Sequence, residues 1–520
     1  MVPGRGAALR LEASLARRSL DRRHRRHPAP ADRPRPEHGP GTDLLPQIKH
    51  IVVLMMENHS YDNYLGTLRD DAGHARGDGF DVVDGAPTNS NQATDGTRYV
   101  VKRAPGTEQV KGVPTQAWSA SHEQRGPTGG SGGFVSSVEH MDQLELRDHR
   151  DIPMWYWDES DLPFYHALAR TFPLMDRWFC SCLGPTFPNR RFLLAATAHG
   201  LIDDALPGLF DYPKRGTILD LLTAHGITWI NYHWAPTGGI LAKRALGRAG
   251  LRAGRALSLL SGGLLGRIRT GVQGALQFTA DLYPMGFLAC RNHLRPIGCF
   301  FEDARKGTLP AVSIVDPDFT QTSEENPQDV QDGEAFAAAV IRAVMEGPGW
   351  ANTVLFWTYD EHGGYYDHVD PPPAPKPDGI HGRSILDGAG PLIWLLRQIP
   401  LIRRWMLADT GPRGYTRFGF RVPTVIVSPF ARPGYVGSVE HPEVAYDHTS
   451  ILRVIERKWN LAPLTERDAR AADPLVALDL EAPPVFAAPP QLASAAKRLE
   501  QPTSPGCVPG DVSVSAETND

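Results

Sequence analysis

Two acidic clusters sit where apolar runs stop. Ile51 to Met56 is followed by Glu57-Asn58-His59-Ser60, and Thr353 to Tyr359 by Asp360-Glu361-His362-Gly363-Gly364. A carboxylate, an amide oxygen and two adjacent carboxylates make a hard, all-oxygen donor set. It suits one divalent ion such as Ca²⁺, Mg²⁺ or Mn²⁺ better than a metal that prefers thiolates. Either cluster alone would equally serve as a cap or as an arginine partner. Two at equivalent strand ends favour Glu57, Asn58, Asp360 and Glu361 as metal ligands. A third stretch, Gly184-Pro185-Thr186-Phe187-Pro188-Asn189-Arg190, precedes an apolar helix. There a hydroxyl on stiff backbone meets the positive end of a helix, which favours phosphate and helps stabilise an alkoxide. Arg190 adds a guanidinium that can clamp phosphoryl oxygens, although an ordinary Thr cap beside an exposed Arg has the same pattern.

These groups need a frame, and the apolar periodicity supplies one. Short buried strands are expected at Ile51–Met56, Ile227–Tyr232, Ala311–Val315, Thr353–Tyr359 and Val422–Val427. Helical patterns lie between or beside them at Leu162–Arg170, Arg190–His199, Ile218–His225, Glu334–Met345 and Thr449–Trp459. Alternating strands and helices imply an α/β fold with a mainly parallel sheet sandwiched by helices. In such a sheet the carboxyl ends of the strands line the ligand crevice. The endings Asn231-Tyr232-His233 and Asp316-Pro317-Asp318 therefore converge with the acidic clusters.

The ordered blocks Glu57 to Gly66, Gly184 to Arg190 and Thr358 to Val369 resemble the bacterial phosphoesterase family, which includes phosphatidylcholine-preferring and non-specific phospholipases C and an acid phosphatase. Val422 to Val436 and Asp447 to Leu452 are similar to its closing blocks, so the likeness runs from Ile48 to Trp459. It implies an alkaline-phosphatase-like fold with loop-rich insertions and a single metal held by Glu57, Asn58, Asp360 and Glu361. It makes Thr186 the nucleophile, and threonine at that position is the phospholipase choice. The implied reaction is metal-dependent hydrolysis of a phospholipid phosphodiester through a phosphothreonine. A phosphomonoesterase, or an inactive lipid- or metal-binding relative, is the alternative. The leaving oxygen needs a proton, for which His362, His368, His233 and His448 are candidates, His362 first by closeness to the carboxylates. Asn189 and His448 are expected to face substrate. The chain departs from the family where an acidic-His-Pro block is usual: it reads Glu325-Asn326-Pro327, and Asn326 can bond a phosphate oxygen but cannot act as an imidazolium acid.

Composition sets the remaining bounds. The 520 residues carry 54 Lys and Arg against 59 Asp and Glu, a net charge of −5, so nucleic acid is not an expected partner. With 41% hydrophobic and 22% charged residues, a large core forms. The expected organisation is a flexible basic, Pro-rich tail over 1–45, one domain over 46–480 and a Pro/Ala-rich tail over 481–520. Insertions at 238–274 and 384–413, rich in Leu and Arg, are the candidates for peripheral membrane contact. No run reaches the roughly 18 apolar residues of a membrane span. Ala7 to Ala16 is interrupted by Arg10 and Glu12 and makes a poor signal peptide, so a cytoplasmic or membrane-peripheral protein is the default, and a secreted one would need a different start. Among five cysteines, Cys290 and Cys299 flank a loop and could bridge in an oxidising compartment, the alternative being buried thiols.

Overall fold

The computed structural model describes residues 5–141, 149–204, 207, 211–234, 279, 282–283, 293–383, 412–502 and 507. Its centre is a six-stranded sheet of β1 (His50–Met56), β2 (Trp229–His233), β3 (Leu294–Pro296), β4 (Val312–Val315), β5 (Thr353–Tyr359) and β6 (Thr424–Val427). The spatial order is β6-β5-β1-β4-β2-β3. All neighbours run parallel except β6, which pairs antiparallel with β5 at the edge. The helices used below are α1 (Arg5–Arg26), α2 (Tyr61–Leu65), α3 (Trp118–Arg125), α4 (Phe134–Met141), α5 (Pro163–Thr171), α6 (Thr186–Ala195), α7 (Ile218–Ala224), α8 (Ile297–Lys306), α9 (Val330–Glu346) and α10 (His448–Lys458). The sheet is mixed but mostly parallel, as the alternation of elements implies.

Strands β1 and β5 are buried along almost their whole length, which is why they read as continuous apolar runs rather than alternating ones. Register does the positioning. Met56 pairs with Tyr359 and Leu54 with Val315, while Val315 pairs with Tyr232. The next residues along these strands are Glu57, Asp360, Asp316 and His233, so four polar groups emerge side by side at one sheet edge. A slip of one residue would turn these side chains to the opposite face.

Several boundaries differ from the sequence reading. Helix α6 starts at Thr186, four residues before the expected Arg190, and ends at Ala196, whose φ of 57° is left-handed. Pro188 does not prevent this, because a helix's first turn has no intrahelical use for its N–H groups. Strand β3 is three residues long and gave no periodic signal. The expected tail is also more ordered than its composition implies. Helix α1 lies on α7 with Leu20 buried, and Arg17 Nε donates to the Ala224 carbonyl at 2.9 Å. Likewise, residues 481–502 form an irregular strap. Trp350 Nε1 donates to the Phe486 carbonyl at 2.8 Å, and Lys497 Nζ reaches Asp329 and Asp332 at 2.9 Å each. Insertion 238–274 lies outside the described residues, as does 384–413 except for its last two.

The cysteine pairing is a correction. Cys299, on the first turn of α8, bonds Cys507 across 208 residues of sequence, fastening the strap to the sheet layer. Cys290 lies outside the described residues, while Cys180 and Cys182 are buried free thiols. Sequence proximity misled here because disulfide partners meet through the fold, not along the chain. Replacing both Cys299 and Cys507 by Ala should lower the unfolding free energy by about 2–4 kcal/mol. A melting curve of the double variant beside the oxidised parent checks this.

A candidate active site at the carboxyl edge of the sheet

Asn58 turns the chain out of β1 with φ at 71°, a conformation asparagine tolerates better than most residues. Gly363 crosses it so closely that an added Cβ would sit 1.8 Å from the Asn58 carbonyl oxygen, and its φ is also positive. Only glycine fits that crossing. Asp360 then ties the two strand ends together, Oδ1 accepting from the Glu361 amide at 2.8 Å and from the Asn58 amide at 3.3 Å. The Asn58 Oδ1 accepts from Thr186 Oγ1 at 3.4 Å. The same oxygen faces Glu361 Oε1 in close contact and Asp360 Oδ1 at 3.2 Å. Oxygen facing oxygen is repulsive. It is relieved by turning the amide, so that its NH₂ donates to both carboxylates, or by a cation among the oxygens.

Arg190 organises the acidic groups. Its Nε donates to Asp360 Oδ2 at 2.9 Å and its Nη1 to Asp316 Oδ1 at 3.3 Å. Nη2 donates to the Met55 and Met56 carbonyls at 3.3 Å and stands 3.8 Å from Glu57 Oε1. The expectation of a phosphoryl clamp is therefore corrected: this guanidinium is held by carboxylates at the ends of β1, β4 and β5. Glu57, Asp360 and Glu361 are fully buried. Burial is the main cause raising all three above the usual carboxylate range, aided at Glu57 by the charge of Glu325 and at Glu361 by that of Asp360. Glu57 Oε2 is buried with no hydrogen-bond partner among the described residues. A crowded acidic set and an orphaned carboxylate oxygen fit a hard divalent cation. Arg190 touches both Glu57 and Asp360.

The loop before Thr186 is held by Asn189. Its Oδ1 accepts from the Cys182 amide at 3.0 Å, and its Nδ2 donates to the Gly184 and Pro185 carbonyls at 2.8 and 3.1 Å. Fully buried and bonded to its own loop, Asn189 positions Thr186 rather than facing substrate. The Phe187 amide in the first turn of α6 donates to Asp204 Oδ1 at 2.8 Å. Nothing in the sequence around Asp204 announced this.

The four imidazoles separate by their partners. Gln124 on α3 donates through Nε2 to Thr115 O and Ser137 Oγ, leaving its Oε1 to accept from His362 Nε2 at 2.7 Å. Burial against Phe134 and Phe420 pushes His362 down to about 3. A neutral ring is a poor acid, so the leading proton-donor candidate is displaced. His448 Nε2 donates to the Asp360 carbonyl at 2.7 Å, fixing that strand end instead of facing substrate. His368 lies between Asp62 Oδ2 (2.7 Å) and Asp78 Oδ1 (3.3 Å). Burial alone would lower its pKa, but these carboxylates outweigh it and hold it near 10. His233 ends β2, fully buried, on the catalytic edge. Asn326, expected on a phosphate, instead accepts from the Gly112 amide at 2.9 Å and donates to the Pro114 carbonyl at 3.3 Å. It staples two loops.

Glu324 escaped the sequence reading altogether. Its carboxylate is buried and accepts from the hydroxyls of Tyr165 (2.6 Å), Tyr64 (2.9 Å) and Tyr359 (2.5 Å). Burial raises it to about 8 against the pull of those three donors. Those tyrosines come from α5, α2 and β5, so one carboxylate ties the elements that deliver Asn58 and Asp360. A second acidic group, Asp62, Asp367 and His368, brings three ligand-type atoms within 4.8 Å of one another. Its oxygens are already engaged by Arg421, which donates to Asp62 at 3.0 Å and to Asp367 at 3.0 and 3.2 Å.

Comparison with known proteins agrees with this geometry. The phosphoesterase-family model matches residues 48–462. The chain is similar to non-specific phospholipase C6 of Arabidopsis thaliana, 28% identical over 448 residues, covering 82% of this chain and 71% of the relative. It is also similar to phospholipase C B of Mycobacterium tuberculosis H37Rv, 29% identical over 506 residues, covering 91% and 85%.

Two measurements probe the electrostatics. Arg190→Met leaves Glu57, Asp316 and Asp360 buried without their cation, and should cost about 3–5 kcal/mol in urea unfolding without added metal. The raised pKa of His368 stabilises the fold fully below about 6.5 and is lost as pH rises through about 10. His368→Asn should therefore flatten the fall in stability between pH 7 and 10.5 seen in the parent.

Proposed function

The chain belongs to the phosphoesterase family and is a hydrolase of phosphoric ester bonds, and from that premise we propose that it cleaves phospholipid phosphodiesters in the manner of a phospholipase C. The observation that carries the reading is the Thr186 hydroxyl, 3.4 Å from the Asn58 side-chain amide, which lies against Asp360 and Glu361. The names of both relatives support the substrate class. A divalent cation held by Glu57, Asn58, Asp360 and Glu361 would lower the hydroxyl pKa and offset phosphoryl charge.

In the proposed reaction Thr186 Oγ attacks phosphorus, the bond to the lipid alcohol breaks, and that oxygen takes up a proton. Water then attacks the phosphothreonine, releasing the phosphorylated headgroup and restoring the hydroxyl. We assign leaving-group protonation to His233, which ends β2 on the same sheet edge. Asn189 keeps the nucleophile loop rigid, and Arg190 lets three acids coexist beside an anionic substrate. The bond between Cys299 and Cys507 favours an oxidising compartment. Among the described residues no helix is long and apolar enough to cross a membrane.

Thr186→Ala should lower kcat on a chromogenic phosphodiester by about a thousandfold or more, and chelation should abolish turnover until Ca²⁺, Mg²⁺ or Mn²⁺ is restored. Comparing a monoester with a diester on one preparation separates phospholipase from phosphatase. Full activity of Thr186→Ala would remove the phosphothreonine.

A further inference from the structure

Helix α1 has two unlike faces. Leu20 is buried and Ala16 packs against the core, while Leu15, Arg18, Ser19, Arg22, Arg25 and Arg26 are exposed. The exposed residues recur at three- and four-residue spacing, so they form one stripe. Beside the stripe lies a cleft of about 670 Å³ lined by Arg18, Arg22, Arg23, Arg26 and Lys214, with no carboxylate in its wall. Asp21, also exposed, lines a different cleft together with His24 and His225. Basic residues in a last helical turn are commonly explained by the helix dipole. That explanation reaches Arg23 to Arg26 but not Arg18, Arg22 or Lys214.

The stripe has a defined place on the molecule. Arg17 Nε bonds the Ala224 carbonyl at the end of α7, whereas Arg23 Nη1 bonds the Pro213 carbonyl (3.2 Å) and Arg215 Nη1 the His27 carbonyl (2.5 Å) before α7 begins. Helices α1 and α7 are therefore antiparallel. Because α7 feeds the amino end of β2, its own start lies towards the carboxyl edge of the sheet. The arginine-rich end of α1 is thus at the edge that carries Thr186.

We propose that the Arg18–Arg22–Arg26 stripe of α1, with Lys214, docks the enzyme on a bilayer containing anionic phospholipids, its catalytic edge towards the lipid. Five cations without an acid match an anionic surface, and Leu15, 56% exposed at the end of the stripe, offers an apolar contact to the interface. The choice of a bilayer over another polyanion rests on the phospholipase reading; the docking itself is measured without turnover.

Vesicles of phosphatidylcholine alone and with 30% phosphatidylserine (roughly physiological surface charge) are sedimented with the full chain. Preferential retention by the anionic vesicles, weakened by salt, is expected. Arg18→Glu with Arg22→Glu and Arg26→Glu should reduce that retention at least about tenfold, while hydrolysis of a soluble chromogenic diester stays unchanged. Independently, Leu15→Trp should shift its fluorescence to the blue on adding anionic vesicles, which reads the contact even if the triple variant does not fold. Equal retention on both vesicle types, no tryptophan shift, or charge-dependent retention only by duplex DNA would overturn the proposal. An enzyme that binds anionic vesicles but cleaves no diester would refute the activity and leave the docking standing.

Discussion

The site exists because a buried guanidinium neutralises carboxylates that the sheet forces together. Parallel pairing in fixed register delivers Glu57, Asp316 and Asp360 to adjacent strand ends, where their mutual repulsion and desolvation would oppose folding. Arg190 bonds two of them and approaches the third. It comes from the same short helix that begins with Thr186. Thr186 and the charge-neutralising Arg190 are therefore separated by about one helical turn, and one cannot move without the other.

Around this centre, polar groups with no direct part in the chemistry hold position. His448 anchors the Asp360 carbonyl, Asn189 anchors the loop before Thr186, and Glu324 gathers three tyrosine hydroxyls from separate elements. All three are buried; Asn189 and Glu324 are satisfied by hydrogen bonds, and His448 is held through its Nε2. A buried polar group so satisfied fixes one arrangement, since any other leaves it unpaired.

Local chemistry was readable in the sequence, and its partners were not. Strands β1 and β5 were plain because both faces are buried, and their endings advertised Glu57, Asn58, Asp360 and Glu361. Thr186 was legible from the prolines around it. What the residue types could not tell was direction. Arg190 had the chemistry of a phosphate clamp, yet the carboxylates behind it are nearer. His362 had the right neighbours, but burial against aromatic rings lowers its pKa and its Nε2 is bonded to Gln124. Asn326 and Glu324 differ by two positions, and their fates depend on loops far away in sequence. The same holds for Cys299, whose partner is 208 residues distant. Helix α1 looked like solvent-exposed composition because a single row of small apolar residues docks it.

The direction of the strands has one more effect. Residues 235–278 follow the carboxyl end of β2, and 384–411 descend from the segment that leaves β5. The chain leaves β2 and β5 on the rim that carries Thr186, whereas a short turn joins α7 to β2 on the opposite rim. Residues that follow the first rim can change without disturbing the paired backbone beneath. Substrate choice in this architecture can drift while the reaction itself stays constant.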